Sequence, residues 1–243
     1  MKKLTLAACA LALTAGLGHA QTVRIGTEGA YPPYNFINDA TGEVDGFEIE
    51  LGNELCKRAE LDCVWVRNDW DSIIPNLVSG NYDAIMAGMS MTEERKQVIQ
   101  FSDGYTHPAP SAYVALSADV DVEGGVVAAQ INTIQAAYVA ETGATLLEFA
   151  NLDQSVAAVR NGEADALFVD KEPIIPYVNE SNGQLVFVDG KDEVAVGDGM
   201  GIGLRQSDTE LRDKFNAALA SMKADGSLNA LLTKWVENAQ LFD

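Results

Sequence analysis

Basic residues are scarce in this chain of 243 residues: 16 lysines and arginines stand against 36 aspartates and glutamates, a formal charge of −20. So acidic a protein is not expected to bind nucleic acid or an anionic lipid surface, since both attract cations. Histidine is almost missing, with only His19 and His107 in the chain. That excludes a multi-histidine metal site. A Ser-His-Asp hydrolase would depend on His107 alone, which sits beside Pro108 in a connector rather than in a recognisable triad. No nucleophile-and-base pair emerges, and neither a cofactor nor a metal is expected. Long apolar runs are missing as well. The one candidate, residues 4–17, follows Lys2 and Lys3 and closes with Gly18-His19-Ala20. It is too short for a membrane anchor and reads as a secretory signal peptide over residues 1–20. Leu6-Ala7-Ala8-Cys9 resembles a lipoprotein processing box, but the apolar stretch before Cys9 is very short and lipidation is not expected.

Removal of the signal leaves a soluble, exported product of about 223 residues, enough for one large or two small domains. It carries two cysteines, Cys56 and Cys63. In an oxidising compartment an isolated close pair of this kind forms a disulfide. The loop is short, so the stabilisation expected from chain entropy is roughly 2–3 kcal/mol. Metal binding fits the pair less well, because the spacing is wide and no histidine lies nearby.

Strand-like and helix-like segments alternate along the chain. Residues 22–27 form a β-branched strand candidate. Phe47, Leu51 and Leu55 give helical spacing up to Arg58, followed by a strand over 64–66, a short helix over 73–78 and an apolar strand over 84–87. A second series places strands at 113–116, 126–129, 146–150 and 164–169, with helices over 133–141 and 156–159. The alternation predicts parallel sheets covered by helices. The tail is helical over 211–222 and 228–235, with Gly226 as the break. Two proline- or glycine-rich connectors, Thr106-His-Pro-Ala-Pro-Ser111 and Gly197-Asp-Gly-Met-Gly-Ile-Gly203, bracket the middle series. They predict a discontinuous first lobe (21–106 and 198–243) with a second lobe (107–197) inserted, a jaw joined by two crossings. The glycine-rich connector opens no helix, so it is read as strand and hinge rather than as a phosphate loop.

The most informative stretch is Tyr82-Asp-Ala-Ile-Met-Ala-Gly-Met-Ser90-Met-Thr92-Glu-Glu-Arg95. Its buried strand ends at small and hydroxyl residues, and a helix starts at Thr92. Arg95 in the first turn adds a cation where the helix already carries partial positive charge. Either an anion docks there, met by free N–H groups and a guanidinium fork, or Arg95 pairs with an acid such as Glu94 on a solvated face. Other strand ends carry recognition chemistry: Glu28-Gly-Ala-Tyr31-Pro-Pro-Tyr34 after the first strand, Asn68-Asp-Trp70-Asp71 after the second, and Ala87-Gly88-Met-Ser90 after the third. Open α/β sheets bind ligands at that edge. Tyr31 and Trp70 are either ordinary core or turn aromatics or a sandwich for an alkyl or cationic side chain. Asn132-Thr-Ile-Gln135 resembles a capping box and supplies further N–H donors. Asp170 ends a strand, either as a functional acid or as the N-cap of the next helix.

With these residues in view the chain resembles the periplasmic solute-binding proteins of polar and basic amino-acid ABC importers, the lysine/arginine/ornithine-, histidine- and opine-binding branch. The resemblance rests on Gly-Phe-Glu-Ile-Glu-Leu at 46–51, Cys56 with Cys63, Asp-Ala-Ile-Met-Ala-Gly-Met-Ser at 83–90, Thr-Glu-Glu-Arg at 92–95, Phe-Ser-Asp at 101–103 and the stretch 197–205. It implies two Rossmann-like α/β lobes joined by a two-strand hinge that close over one amino acid. It further implies that Arg95 holds the ligand α-carboxylate with Thr133, that Ser90 touches carboxylate and ammonium, and that Asp170 pairs with the ammonium. Tyr31 and Trp70 would enclose the side chain, and Glu28 would meet its distal charge. Ala87 and Gly88 replace a pair of serines, leaving more room. Ile131 stands where glycine is usual, and residues 117–125 are shorter than usual. Glu28 and Trp70 resemble the opine-binding branch. The expectation is a monomeric periplasmic receptor that hands an amino acid, basic or opine-like, to a membrane permease. Two rivals stand beside it: a cyclohexadienyl (arogenate/prephenate) dehydratase on the same fold, and a signalling module that docks on a sensor.

Overall fold

Thr22–Thr27 buries Val23 and Ile25 and runs parallel to Asp62–Arg67 on one side and to Ala84–Ile85 on the other. β-Branched residues suit such a ladder, because their stiff side chains pack on a pleated surface. The computed structural model describes residues 22–237 and 239–243. The expected signal peptide, with Cys9, lies outside the described residues.

The first sheet has the order Asp62–Arg67, Thr22–Thr27, Ala84–Ile85, Gly203–Arg205, Ile99–Phe101. The second has the order Thr145–Phe149, Val126–Gln130, Ala166–Asp170, Ser111–Ala115, Val186–Phe187. Three adjacent strands of each pair in parallel, as the alternation predicts, but both sheets are mixed. Gly203–Arg205 is antiparallel to both its neighbours, and Ser111–Ala115 is antiparallel to both of its own. Each of these strands follows a crossing from one lobe to the other. A chain that arrives at the edge where the parallel strands end must run back against them, so the crossing dictates the direction.

The helix Phe47–Arg58 places acids in its first turn and Lys57 and Arg58 in its last, the arrangement that complements a helix dipole. Phe47, Leu51 and Leu55 are fully buried and share a core with Phe215, Leu219, Met222 and Leu228 of the two tail helices, Thr209–Ala224 and Ser227–Trp235. The tail thus returns to the first lobe. Gly226, at a φ of +76°, makes the break between its helices. Cys56 and Cys63 form the expected disulfide, their Cα atoms 6.2 Å apart, and tie the end of Phe47–Arg58 to the strand after it.

The edge strands Ile99–Phe101 and Val186–Phe187 went unread in the sequence. A small antiparallel ribbon, Ala30–Tyr31 with Asn35–Ile37 and Val44–Asp45, comes after the first strand. The helix expected after Asp170 occupies Lys171–Glu180 in spite of Pro176 in its interior, which removes one backbone donor.

Candidate functional site: a cavity between the two sheets

Residues just past the carboxyl ends of strands from both sheets line one cavity. The first lobe supplies Glu28 after Thr22–Thr27, Trp70 after Asp62–Arg67, and Ala87, Gly88 and Ser90 after Ala84–Ile85. Tyr31 enters from the ribbon and Arg95 from the one-turn helix Glu93–Lys96. The second lobe supplies Asp170 at the end of Ala166–Asp170 and Thr133 at the head of Ile134–Ala140. The structure therefore brings all nine residues singled out in the sequence to one cavity.

Thr92 caps the short helix by accepting from the Arg95 N–H at 3.2 Å. The Arg95 guanidinium donates to the Ser90 carbonyl at 3.0 Å and, across the gap, to the Asn132 carbonyl at 3.1 Å. It also lies 5.2 Å from the centre of the Trp70 ring. Among the described residues no carboxylate stands within 4.0 Å of it, whereas Arg24, Arg58 and Arg205 each have one. The pairing with Glu94 is therefore not formed. Burial draws the guanidinium down to about 10, against the pull of Asp170, Glu94 and Tyr31, so it remains a cation at neutral pH. A half-buried cation held by neutral carbonyls rather than by a carboxylate is poised to meet an anion.

Asp170 occupies the N-cap position of Lys171–Glu180, yet its side chain makes no capping bond. Instead Oδ2 accepts from the Tyr31 hydroxyl at 2.7 Å, and Oδ1 accepts from Ser111 Oγ at 3.0 Å and Gln135 Nε2 at 2.6 Å. Burial pushes this carboxyl above its ordinary range, partly offset by Tyr31, Ser111, Arg95 and Gln135. The geometry favours the functional acid over the helix cap.

Glu28 is buried and accepts from Gln130 Nε2 of the second lobe at 2.7 Å. Desolvation raises its carboxyl to about 7. A carboxylate in this position gains from any cation brought beside it.

Thr133 is the cap of Ile134–Ala140: its hydroxyl accepts from the Ala136 N–H at 3.1 Å and donates to the Gln130 carbonyl at 2.6 Å. The hydroxyl proton is thus already engaged. The cap is Thr133 and not Asn132, so the expected Asn132–Gln135 box does not form, and Asn132 instead takes a φ of +59°. Gln135 is released to hold Asp170.

Gly88 is required where it stands. Its φ is +65°, and a Cβ there would meet the Tyr31 ring at 3.0 Å. Trp70 and Tyr31 are both buried against the cavity. Three hydrogen bonds cross between the lobes at this site: Tyr31 to Asp170, Gln130 to Glu28 and Arg95 to Asn132. The jaw is closed.

A matching family model covers residues 23–238 and describes bacterial extracellular solute-binding proteins, family 3. The chain is a family 3 solute-binding protein. This solute-binding protein is 34% identical over 259 residues to the lysine/arginine/ornithine-binding periplasmic protein of Escherichia coli K12, covering 98% of each chain. It is 34% identical over 255 residues to the histidine-binding periplasmic protein of Salmonella typhimurium, again covering 98% of each. Among solved structures it resembles a periplasmic His/Glu/Gln/Arg/opine family-binding protein from Silicibacter pomeroyi in complex with lysine, at 63% identity and a TM-score of 0.87, covering 90% of this chain and 100% of that one. The type II periplasmic binding-protein fold is established by these likenesses.

Gln130, Ile134 and Gln135 also line the cavity of this solute-binding protein and were not singled out. Gln130 was within reach, since it ends a strand as Asp170 does. Nothing in the sequence places Gln135 on Asp170, because that contact depends on where the helix cap falls.

Proposed function

We propose that this periplasmic solute-binding protein captures a basic amino acid between its lobes and delivers it to the permease of an ABC importer. The observation that carries this reading is the charge of the cavity. Two carboxyl groups, buried Glu28 and half-buried Asp170, face a single half-buried cation, Arg95. An amino acid with two cationic groups and one carboxylate is the complement: its α-carboxylate on Arg95, its α-ammonium on Asp170 and Ser90, and its distal cation toward Glu28. Buried charges need such pairing, since an unpaired one is costly in a low-dielectric site. Tyr31 and Trp70 enclose the alkyl chain, and the small Ala87 and Gly88 leave it room. Thr133 contributes through its backbone N–H, its hydroxyl being committed to the cap. The lysine complex of the 63% identical relative and the named specificities of the curated relatives agree with a basic ligand. The dehydratase alternative gives way, since the family and the relatives named are binding proteins.

Isothermal titration calorimetry with lysine, arginine, ornithine, histidine, octopine and glutamine tests the proposal. Heat of binding from at least one basic amino acid, stronger than from glutamine, is the expected result. Binding of glutamine alone would overturn it.

A further inference from the structure

The first lobe encloses a second acid that the ligand site does not use. Glu48 lies in the first turn of Phe47–Arg58 and has no exposure to solvent. Its carboxylate accepts from Asn35 Nδ2 at 2.7 Å, from the Gly88 N–H at 2.8 and 3.0 Å, and from the Tyr105 hydroxyl. The Asn35 amide and the Gly88 N–H can only donate, so both carboxyl oxygens serve as acceptors. Burial pushes the carboxyl up, and the bonds from Tyr105, Gly88 and Asn35 draw it back. Each donor leads to a different piece of the molecule. Gly88 belongs to the loop packed on the Tyr31 ring. Asn35 passes the contact on, its Oδ1 accepting at 2.8 Å from the N–H of Gly29, the residue after Glu28. Tyr105 lies on the segment that leaves the first lobe toward the second, where its N–H donates to the Met200 carbonyl on the returning segment at 2.9 Å.

A fully buried carboxyl group is an expensive way to hold a core together, since apolar residues of the same volume do it as well or better. We infer that Glu48 is a positioning residue: one carboxylate sets the Glu28 loop and the Gly88 loop relative to each other, and so shapes the first-lobe half of the ligand site. The inference deepens the binding reading above and rests on it only for the affinity measurement.

The test uses Glu48→Gln and Asn35→Ala in the full mature chain, with amide hydrogen exchange followed by NMR on the unliganded proteins and lysine affinity by calorimetry. Glutamine keeps the volume of Glu48 but leaves the Gly88 N–H one acceptor in place of two and turns the other oxygen into a donor beside Asn35 Nδ2 or the Tyr105 hydroxyl. Folded Glu48→Gln is expected to lose protection at Gly88 and Gly29 while the strand amides of Thr22–Thr27 keep theirs, and to bind lysine about tenfold more weakly or worse. Asn35→Ala is expected to expose Gly29 alone, leaving Gly88 on Glu48, and it carries the test if Glu48→Gln does not fold. Unchanged protection at the two glycines, or a lower melting temperature with unchanged lysine affinity, would reduce Glu48 to a core residue and overturn the inference. If the wild-type protein binds none of the basic amino acids, the basic-ligand reading falls, and the exchange pattern still decides the role of Glu48.

Discussion

Arg95 illustrates how much one side chain can carry. It is half-buried, cationic, and held by two carbonyls where Arg24 and Arg205 hold carboxylates. Arg95→Ala is expected to cost about 2–5 kcal/mol of lysine binding. The fold should be unaffected, because no ion pair of the protein is lost; calorimetry beside circular dichroism separates the two effects. Glu28 makes a pH prediction. Its carboxyl titrates at about 7 in the folded protein, above the ordinary range for glutamate. Between that range and 7 the folded state holds a proton that the unfolded chain has released. Stability of the unliganded protein is therefore greatest at the acid end of this window and falls as pH rises through it, levelling above about 7. Lysine affinity runs the other way. A cation pairs with the ionised carboxylate, so affinity should drop by up to roughly tenfold per pH unit below about 7. Glu28→Gln should flatten both profiles and weaken lysine more than glutamine. Titrations at pH 5, 6, 7 and 8 with both proteins check the slope; a wild-type profile with no slope would remove Glu28 from the distal site.

Local elements divide into those that build the lobes and those that aim the site. The eight-residue segment closed by Cys56 and Cys63 belongs to the first kind, tying a helix end to an edge strand. Replacing both cysteines by serine should lower stability by about 2–3 kcal/mol on the loop-entropy model. Ligand affinity should hardly change, since the bond sits at the start of Asp62–Arg67 and Trp70 lies past its other end. Urea unfolding with a parallel lysine titration measures both. The cap of Ile134–Ala140 belongs to the second kind. Because Thr133 rather than Asn132 takes the cap, the helix begins one residue later, Gln135 turns to Asp170, and the Asn132 carbonyl remains to receive Arg95. A one-residue shift of a helix start thus changes which groups meet across the cavity.

The molecule as a whole is a jaw whose closure is made from site residues. All three hydrogen bonds across the cavity involve residues that line it. A ligand that satisfies Arg95, Asp170 and Glu28 together should favour the closed form and stabilise it by mass action. At a hundredfold excess over the dissociation constant the gain is about 2.7 kcal/mol, or a rise in melting temperature on the order of 5–10 °C for a chain of this size. Differential scanning fluorimetry with lysine checks the shift; small-angle scattering on the same samples should show no expansion on binding.

Much of this organisation was legible in the chain. The alternation of strand and helix patterns, the paired connectors, the helical tail and the acids, aromatics and arginine at successive strand ends all carry local physical signatures: periodicity, turn chemistry, or a charge placed where it is locally unfavourable. Those signatures do not report direction or partnership. The antiparallel strands Ser111–Ala115 and Gly203–Arg205 look like any other apolar run, and only the route of the chain between lobes reverses them. Gln130 and Gln135 are neutral amides with no local cost to betray a role, and their value comes from the acid each one meets across space. Composition and pattern decided that this chain is an exported two-lobed α/β protein with a charged socket; which groups satisfy one another inside that socket was settled by tertiary packing, because pairing of buried charges depends on distance and not on order along the chain.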